Sequence, residues 1–311
     1  MLLAVVLAAG TAWVLWRQKR DQVILFDRLP GENLALLHLD VGRLRQAAAL
    51  APLLRARVDP DPDYSAFVKQ TGFDYQRDLD AAAICYLPDR VYLLARGRFD
   101  PPRLRQYALA QGGRCAGTRL DQPCSMPASQ PGRAISFLLL SPRVLALATA
   151  PEADAVKQLE TAPVPSAESL AKAATAIDPA ALLWATATPA SLDQAVSGTA
   201  DLSPNLALFS RSLAGAQRAF LVLKDQAPNL GLSLKVICTS EAQAADMRRL
   251  WQGLNDFIGG LMRGSRRRGS LSAWDKVFAS AVIQQEQNTV RATWTLDPAA
   301  LESLGSGTGE Q

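Results

Sequence analysis

One pattern occurs twice in this chain, and it restricts the chain to folds that pack antiparallel hairpins against helices. Residues 81–113, AAAICYLPDRVYLLARGRFDPPRLRQYALAQGG, hold two β-prone apolar runs separated by Pro88-Asp89-Arg90. Proline presets φ and aspartate bonds its own backbone, so the link predicts a turn and the runs an antiparallel hairpin. Asp100 before Pro101 is a helix start, Leu104, Tyr107, Ala108 and Gln111 fall at helical spacing, and Gly112-Gly113 is a stop. Residues 219–254, AFLVLKDQAPNLGLSLKVICTSEAQAADMRRLWQGL, repeat this order. Here Ser240 takes the capping place, and Gln243 stands three residues on, the spacing of a capping box.

A second match supports the first. ALLWATATPASLDQA, residues 181–195, aligns without gaps against ALLHLDVGRLRQA, which ends at Ala47. Thr188 falls on Asp40, Leu192 on Leu44 and Gln194 on Gln46. Agreement in element order and cap positions predicts a duplicated α+β unit. The expected division is a membrane anchor with a basic flank at 1–20 and a first α+β unit at 27–161. A linker with a short helix follows at 162–180, then a second α+β unit at 181–304 and a disordered tail at 305–311. Within the first unit the strand Leu34–Leu39 leads into a helix capped by Asp40, and a short helix over 64–71 stops at Gly72. A proline-rich loop is expected at 123–131, a second hairpin before position 150, and a closing helix at 152–161. In the second unit the helix runs to about Met262, and a last hairpin turns at Gln287-Asn288.

Residues 2–16, LLAVVLAAGTAWVLW, are uncharged throughout. At about 1.5 Å per residue they span about 22 Å, short of a typical hydrocarbon core. A membrane anchor, a signal peptide and a buried helix compete for this run. A signal peptide needs positive charge before the run and small residues at a cleavage site after it. Here Arg17, Lys19 and Arg20 follow the run, and Trp13 and Trp16 occupy the cleavage zone. The run is therefore read as a single-pass anchor in the bilayer. Setting those three cations aside from the 33 basic residues leaves 30 against 29 acidic, so the basic balance is a flank effect and not a nucleic-acid signal.

Orientation carries a conflict. The positive-inside rule applied to Arg17, Lys19 and Arg20 places the body in the cytoplasm. Cys115 and Cys124 flank the short segment CAGTRLDQPC, and a disulfide there needs an oxidising compartment. The body is read as periplasmic, anchored in an inner membrane.

Little in the sequence points to catalysis. His38 is the one histidine, which excludes histidine-rich metal sites and zinc-protease motifs, and its apolar run LALLHLD suits a structural role. No glycine-rich phosphate loop is present. Asp59, Asp61 and Asp63 alternate with prolines in DPDPD, and the glycine and glutamate of a calcium loop are missing. Cys85 and Cys238, in apolar strand runs, read as buried free thiols. Arg263, Arg266, Arg267 and Arg268 form the one concentrated charge, a candidate anionic contact set against a solvated loop after a helix. No cofactor and no metal are expected.

LPGENLALLHLDVGRLR, TGFDYQRDLDAAAICY and ARGRFDPPRLRQY resemble stretches of uncharacterised bacterial membrane-anchored proteins with tandem α+β units. The likeness covers most of residues 27–160, and its hallmarks are the GxD…DLD lead-in and the GRFD before a helix. It implies an N-terminal anchor or signal and a body outside the cytoplasm, with no catalytic residues. The basic flank after the anchor departs from that pattern. The combined expectation is a non-catalytic interaction or scaffold subunit with a protein partner. The alternatives are a carrier of a lipid or small apolar ligand, favoured by an apolar groove, and an enzyme, favoured by polar side chains converging on one pocket.

Overall fold

A computed structural model describes residues 28–30, 35–51, 62–117, 119, 122–161, 181–188, 191, 212–213, 216–264, 277, 279–299 and 301. In chain order the elements are β1 (Ala35–Leu39), α1 (Val41–Leu44), a 3-10 turn (Ala48–Leu50), α2 (Pro62–Thr71), α3 (Tyr75–Asp78), β2 (Leu79–Tyr86) and β3 (Val91–Gly97). Next come α4 (Pro101–Ala110), β4 (Arg114–Cys115), β5 (Cys124–Pro127), β6 (Ala134–Ser141), β7 (Val144–Ala150) and α5 (Lys157–Thr161). The last are β8 (Ala181–Ala187), β9 (Arg218–Gln226), β10 (Asn229–Ile237), α6 (Glu241–Gly264), β11 (Val282–Glu286) and β12 (Thr289–Leu296). The fold is mixed α+β, and the strands pair antiparallel. The expected anchor, linker and tail lie outside the described residues. Among the described residues no helix is long and apolar enough to cross a membrane.

The chain divides into two compact units. In the first, the strand order is β2-β3-β7-β6-β5-β4. On one sheet face, Leu104 and Ala108 of α4 pack with Ala95, Phe137 and Leu145, joined by Phe67 of α2. Their spacing of four puts both α4 residues on one stripe of the helix. The segment leading into α5 covers buried Ser136, whose hydroxyl accepts from the Val156 amide (3.1 Å). Val156 and Leu159 there are fully buried, each stabilising by about 1.5–3 kcal/mol relative to exposure.

The second unit has the order β11-β12-β10-β9-β8-β1. On α6, Ala244, Met247 and Trp251 recur at i, i+3 and i+7 and lie in one cluster with Leu234, Val236, Val290, Ala292 and Trp294. The Trp251 indole N–H donates to Ser212 Oγ (2.6 Å), which satisfies the one polar atom of a fully buried ring.

This unit corrects the 27–161 boundary. Residues 33–60 belong to the second unit. β1 pairs along its whole length with β8, the Asp40 amide donates to the Leu182 carbonyl (2.8 Å), and Ala47 and Ala49 fill the second unit's core. A pairing between strands so far apart in sequence leaves no local signature, so a sequence reading groups β1 with its neighbours in the chain. Within the β1–β8 ladder Leu37 stands opposite Ala185, the residue it matches in the sequence alignment.

The path β2-β3-α4-β6-β7 matches β9-β10-α6-β11-β12. In each, a hairpin is followed by a helix and a second hairpin, whose last strand returns beside the second strand of the first. The first path differs by the presence of β4 and β5. β5 lies within the expected proline-rich loop at 123–131, and the closing helix begins at Lys157 rather than at 152.

Candidate functional site

The sequence hallmarks of the first unit meet in one place, and they hold the fold. Asp74 caps α3, accepting from the Gln76 amide (2.9 Å) and from the Tyr64 hydroxyl (2.8 Å). Burial and the Asp74 carboxylate push the Tyr64 phenol up to about 12. Asp78, nearly buried, accepts from Arg77 (2.7 Å), from Arg98 (3.2 Å) and from the Asp74 amide (3.0 Å). The hydrogen bond from Arg77 leads in holding its carboxyl well below the usual carboxylate range. Arg98 also bonds the Arg77 carbonyl, and the Arg98 amide donates to the Asp78 carbonyl (2.9 Å). A Cβ at Gly97 would overlap that same carbonyl, so the GRFD glycine is set by backbone approach. Phe73 and Phe99 stack with centroids 5.0 Å apart, and Asp100 caps α4 through the Arg103 amide (3.1 Å). Asp80 pairs with Arg143 (2.6 Å). Every polar member of the cluster is spent on another member, so it acts as a clasp between α3, β2 and β3.

The other expected residues fall elsewhere. Cys115 and Cys124 stand directly opposite each other on β4 and β5 and are joined by a disulfide, with Cα atoms 4.0 Å apart. The Ala116 amide donates to the Pro123 carbonyl (2.9 Å), which makes the cysteine pair the close, non-hydrogen-bonded kind. Cys85 and Cys238 are free and buried; burial pushes the Cys85 thiol up to about 12 and raises Cys238 as well. His38 is buried on β1 opposite Trp184. Asp63 lies in the first turn of α2. Asp59 and Asp61, the flank Arg17, Lys19 and Arg20, and the side chains of Arg263, Arg266, Arg267 and Arg268 lie outside the described residues. Among the described residues no group of three or more His, Cys, Asp or Glu side chains is placed to hold a metal ion.

The surface with chemistry to spare is one that motif reading missed. On the sheet face turned away from α6, strand register sets Lys235, Arg291 and Gln284 in one row across β10, β12 and β11. The next row places Ile237, Thr289 and Glu286 side by side. Lys235, Gln284, Glu286, Thr289 and Arg291 line an open depression of about 470 Å³. Like charges directly opposite on a sheet repel. Yet among the described residues neither Lys235 nor Arg291 has an ion-pair partner, and Glu286, on the diagonal, is outside pairing distance of both. The signal in the sequence is the alternation itself: Ser233 and Lys235 on β10, and Thr289, Arg291, Thr293 and Thr295 on β12, alternate with apolar residues. Their adjacency comes only from register.

No family model and no curated protein matches the chain. Among solved structures, crystal form I of TP0453 superposes with a TM-score of 0.45 at 9% identity, covering 91% of this chain and 96% of that one. Crystal form III of TP0453 gives 0.48 at 9% identity, covering 91% and 97%.

Proposed function

We propose that this chain is a non-catalytic interaction or scaffold subunit, held in an inner membrane by residues 2–16, with its body in the periplasm. The observation that carries the interaction reading is the open row of Lys235 and Arg291, two cations opposed across one strand register without a counter-ion among the described residues. A depression so open leaves its charges in water, where they suit contact with a polar partner surface. Its polar lining also suits a macromolecular partner better than a lipid or an apolar ligand. The shifted groups Tyr64, Asp78 and Cys85 owe their shifts to the clasp and to burial, so they are accounted for without a reaction. The Cys115–Cys124 disulfide supports export, against the basic flank at Arg17, Lys19 and Arg20.

The body is further read as an internal duplication preceded by one transmembrane helix. The shared hairpin–helix–hairpin path, the caps at Asp100 and Ser240, and the self-matching Leu37–Ala185 pair support that reading. It agrees with the resemblance to membrane-anchored bacterial proteins with tandem α+β units. Affinity purification from membranes with the anchor intact tests the function. A specific protein should be recovered with the native chain and lost with Lys235→Glu/Arg291→Glu; recovery unchanged by that reversal removes the groove from the interaction.

A further inference from the structure

We propose that the outer edge of β11 receives an extended, acidic segment of a partner polypeptide as an added antiparallel strand. This rests on the reading of the chain as an interaction subunit and names the surface and the partner's chemistry.

The edge is the first observation. The β11–β12 hairpin closes through Gln287-Asn288, with Glu286 opposite Thr289 and Gln287 at φ 51. In a two-residue hairpin the closing pair is hydrogen-bonded, and alternate pairs along the ladder follow it. Val282, Gln284 and Glu286 therefore bond to β12, and the backbone groups of Ile283 and Gln285 face outward. Among the described residues nothing hydrogen-bonds to those outward groups. β11 carries neither lysine nor proline, devices that blunt an edge, and its one charge, Glu286, stands at the turn end.

The first unit shows what such an edge accommodates. β6 holds the place in β2-β3-α4-β6-β7 that β11 holds in β9-β10-α6-β11-β12, and β6 is covered by β5. Four residues of β5 pair antiparallel there, from Cys124 opposite Phe137 to Pro127 opposite Ala134. Among the described residues before β11, none pairs with its outer edge. Val277 is buried in the core, the Ser280 amide donates to its carbonyl (3.1 Å), and Asn255 of α6 donates to the Ala281 carbonyl (3.0 Å). Ala281, the residue before β11, is thereby tied to α6.

Register specifies the occupant. An added strand continues three rows: Ser233–Thr293–Val282, Lys235–Arg291–Gln284 and Ile237–Thr289–Glu286. Val282, 56% exposed, calls for an apolar neighbour. Arg291 sits one strand in from the edge, about 9–10 Å from the added backbone, a gap that its side chain and a glutamate span together. An acidic residue beside Gln284 supplies the missing counter-charge. A second copy of this chain fits poorly: antiparallel pairing of β11 on itself about Gln284 sets Val282 against Glu286 and brings two Lys235–Arg291 rows together.

The test uses the full chain in detergent micelles and two synthetic peptides of about nine residues, the usual span of a strand. Both alternate threonine with valine, and one carries glutamates where the other carries lysines. Anisotropy reads affinity, and amide exchange reads location. The acidic peptide should bind at least roughly ten-fold tighter than the basic one and protect the Ile283 and Gln285 amides, which exchange freely beforehand. Arg291→Glu should invert the preference. Gln285→Pro, which removes an outward N–H, should abolish binding while β9 and β10 amides stay protected. Equal binding of both peptides, protection elsewhere, or amides of Ile283 and Gln285 already protected in the free chain would each overturn the assignment. A membrane partner whose recovery survives Gln285→Pro leaves the interaction reading intact and removes the edge from it. Peptide protection at β11 with no membrane partner does the reverse.

Discussion

Asp78 shows how much of the first unit depends on single side chains. Its carboxylate gathers Arg77, Arg98 and the Asp74 amide at a nearly buried position. Asp78→Ala removes hydrogen bonds from two exposed arginines, which water can re-solvate, and from the Asp74 amide, and should cost about 1–3 kcal/mol in urea denaturation. The pH sign follows from the depressed carboxyl. A folded-state value below the unfolded one gives stability that is fully present above about pH 4 and is lost as pH falls toward the folded value. Asp78→Asn should therefore lower stability at neutral pH and flatten its acid dependence below about pH 4. A variant retaining the full acid slope would show that another carboxylate sets it.

The cysteines divide at the same scale. Cys115 and Cys124 are bonded, while Cys85 and Cys238 are free but buried. In native membranes without reductant none of the four should label with a maleimide. Reductant should add Cys115 and Cys124, and denaturant the other two. Labelling of Cys115 and Cys124 without reductant would move the body to the cytoplasm, as the basic flank suggests. Cys124→Ser, which opens a short loop, should lower stability by about 2–3 kcal/mol.

Among the elements, α6 has its cap and its anchor in view. Ser240 Oγ accepts from the Gln243 amide (3.2 Å), and Gln243 Oε1 reaches back to the Thr239 amide (2.8 Å), one residue earlier than a strict capping box. Ser240→Ala should cost about 1 kcal/mol, and Trp251→Ala about 3–5 kcal/mol, since the cavity lies at the centre of the helix–sheet contact. Thermal melts of the two variants check both values, and near-equal losses would contradict the packing described. Caps, turns and hairpins of this kind are legible in the sequence because each is decided within a few residues. β5 was hidden because CSMP is short and ends in proline, so its strand character comes only from pairing with β6. The candidate surface was hidden for a related reason. Lys235 and Arg291 each look like ordinary solvent-facing residues until register sets them side by side.

For the whole molecule the informative feature is that residues 33–60 build into the second unit. Leu44, Ala47, Ala49 and Leu50 pack in its core. A fragment of residues 178–311 lacks them and should fail to give a protease-resistant species. Supplying 33–60 in front of it through a flexible linker should restore resistance and protect the β8 amides. A fragment 178–311 that is stable alone would show that β1 is an accessory to this unit.

That arrangement also sets a clock on biosynthesis. β1 leaves the ribosome early, but its partner β8 follows only after roughly 140 further residues, on the order of ten seconds at ordinary elongation rates. Through that interval a strand with an apolar run, LALLHL, waits for β8, while the first unit can already close around its own hairpins. Whatever guards nascent chains in the compartment where this protein folds has its main task there, and a pause in translation between the two strands would lengthen the exposure.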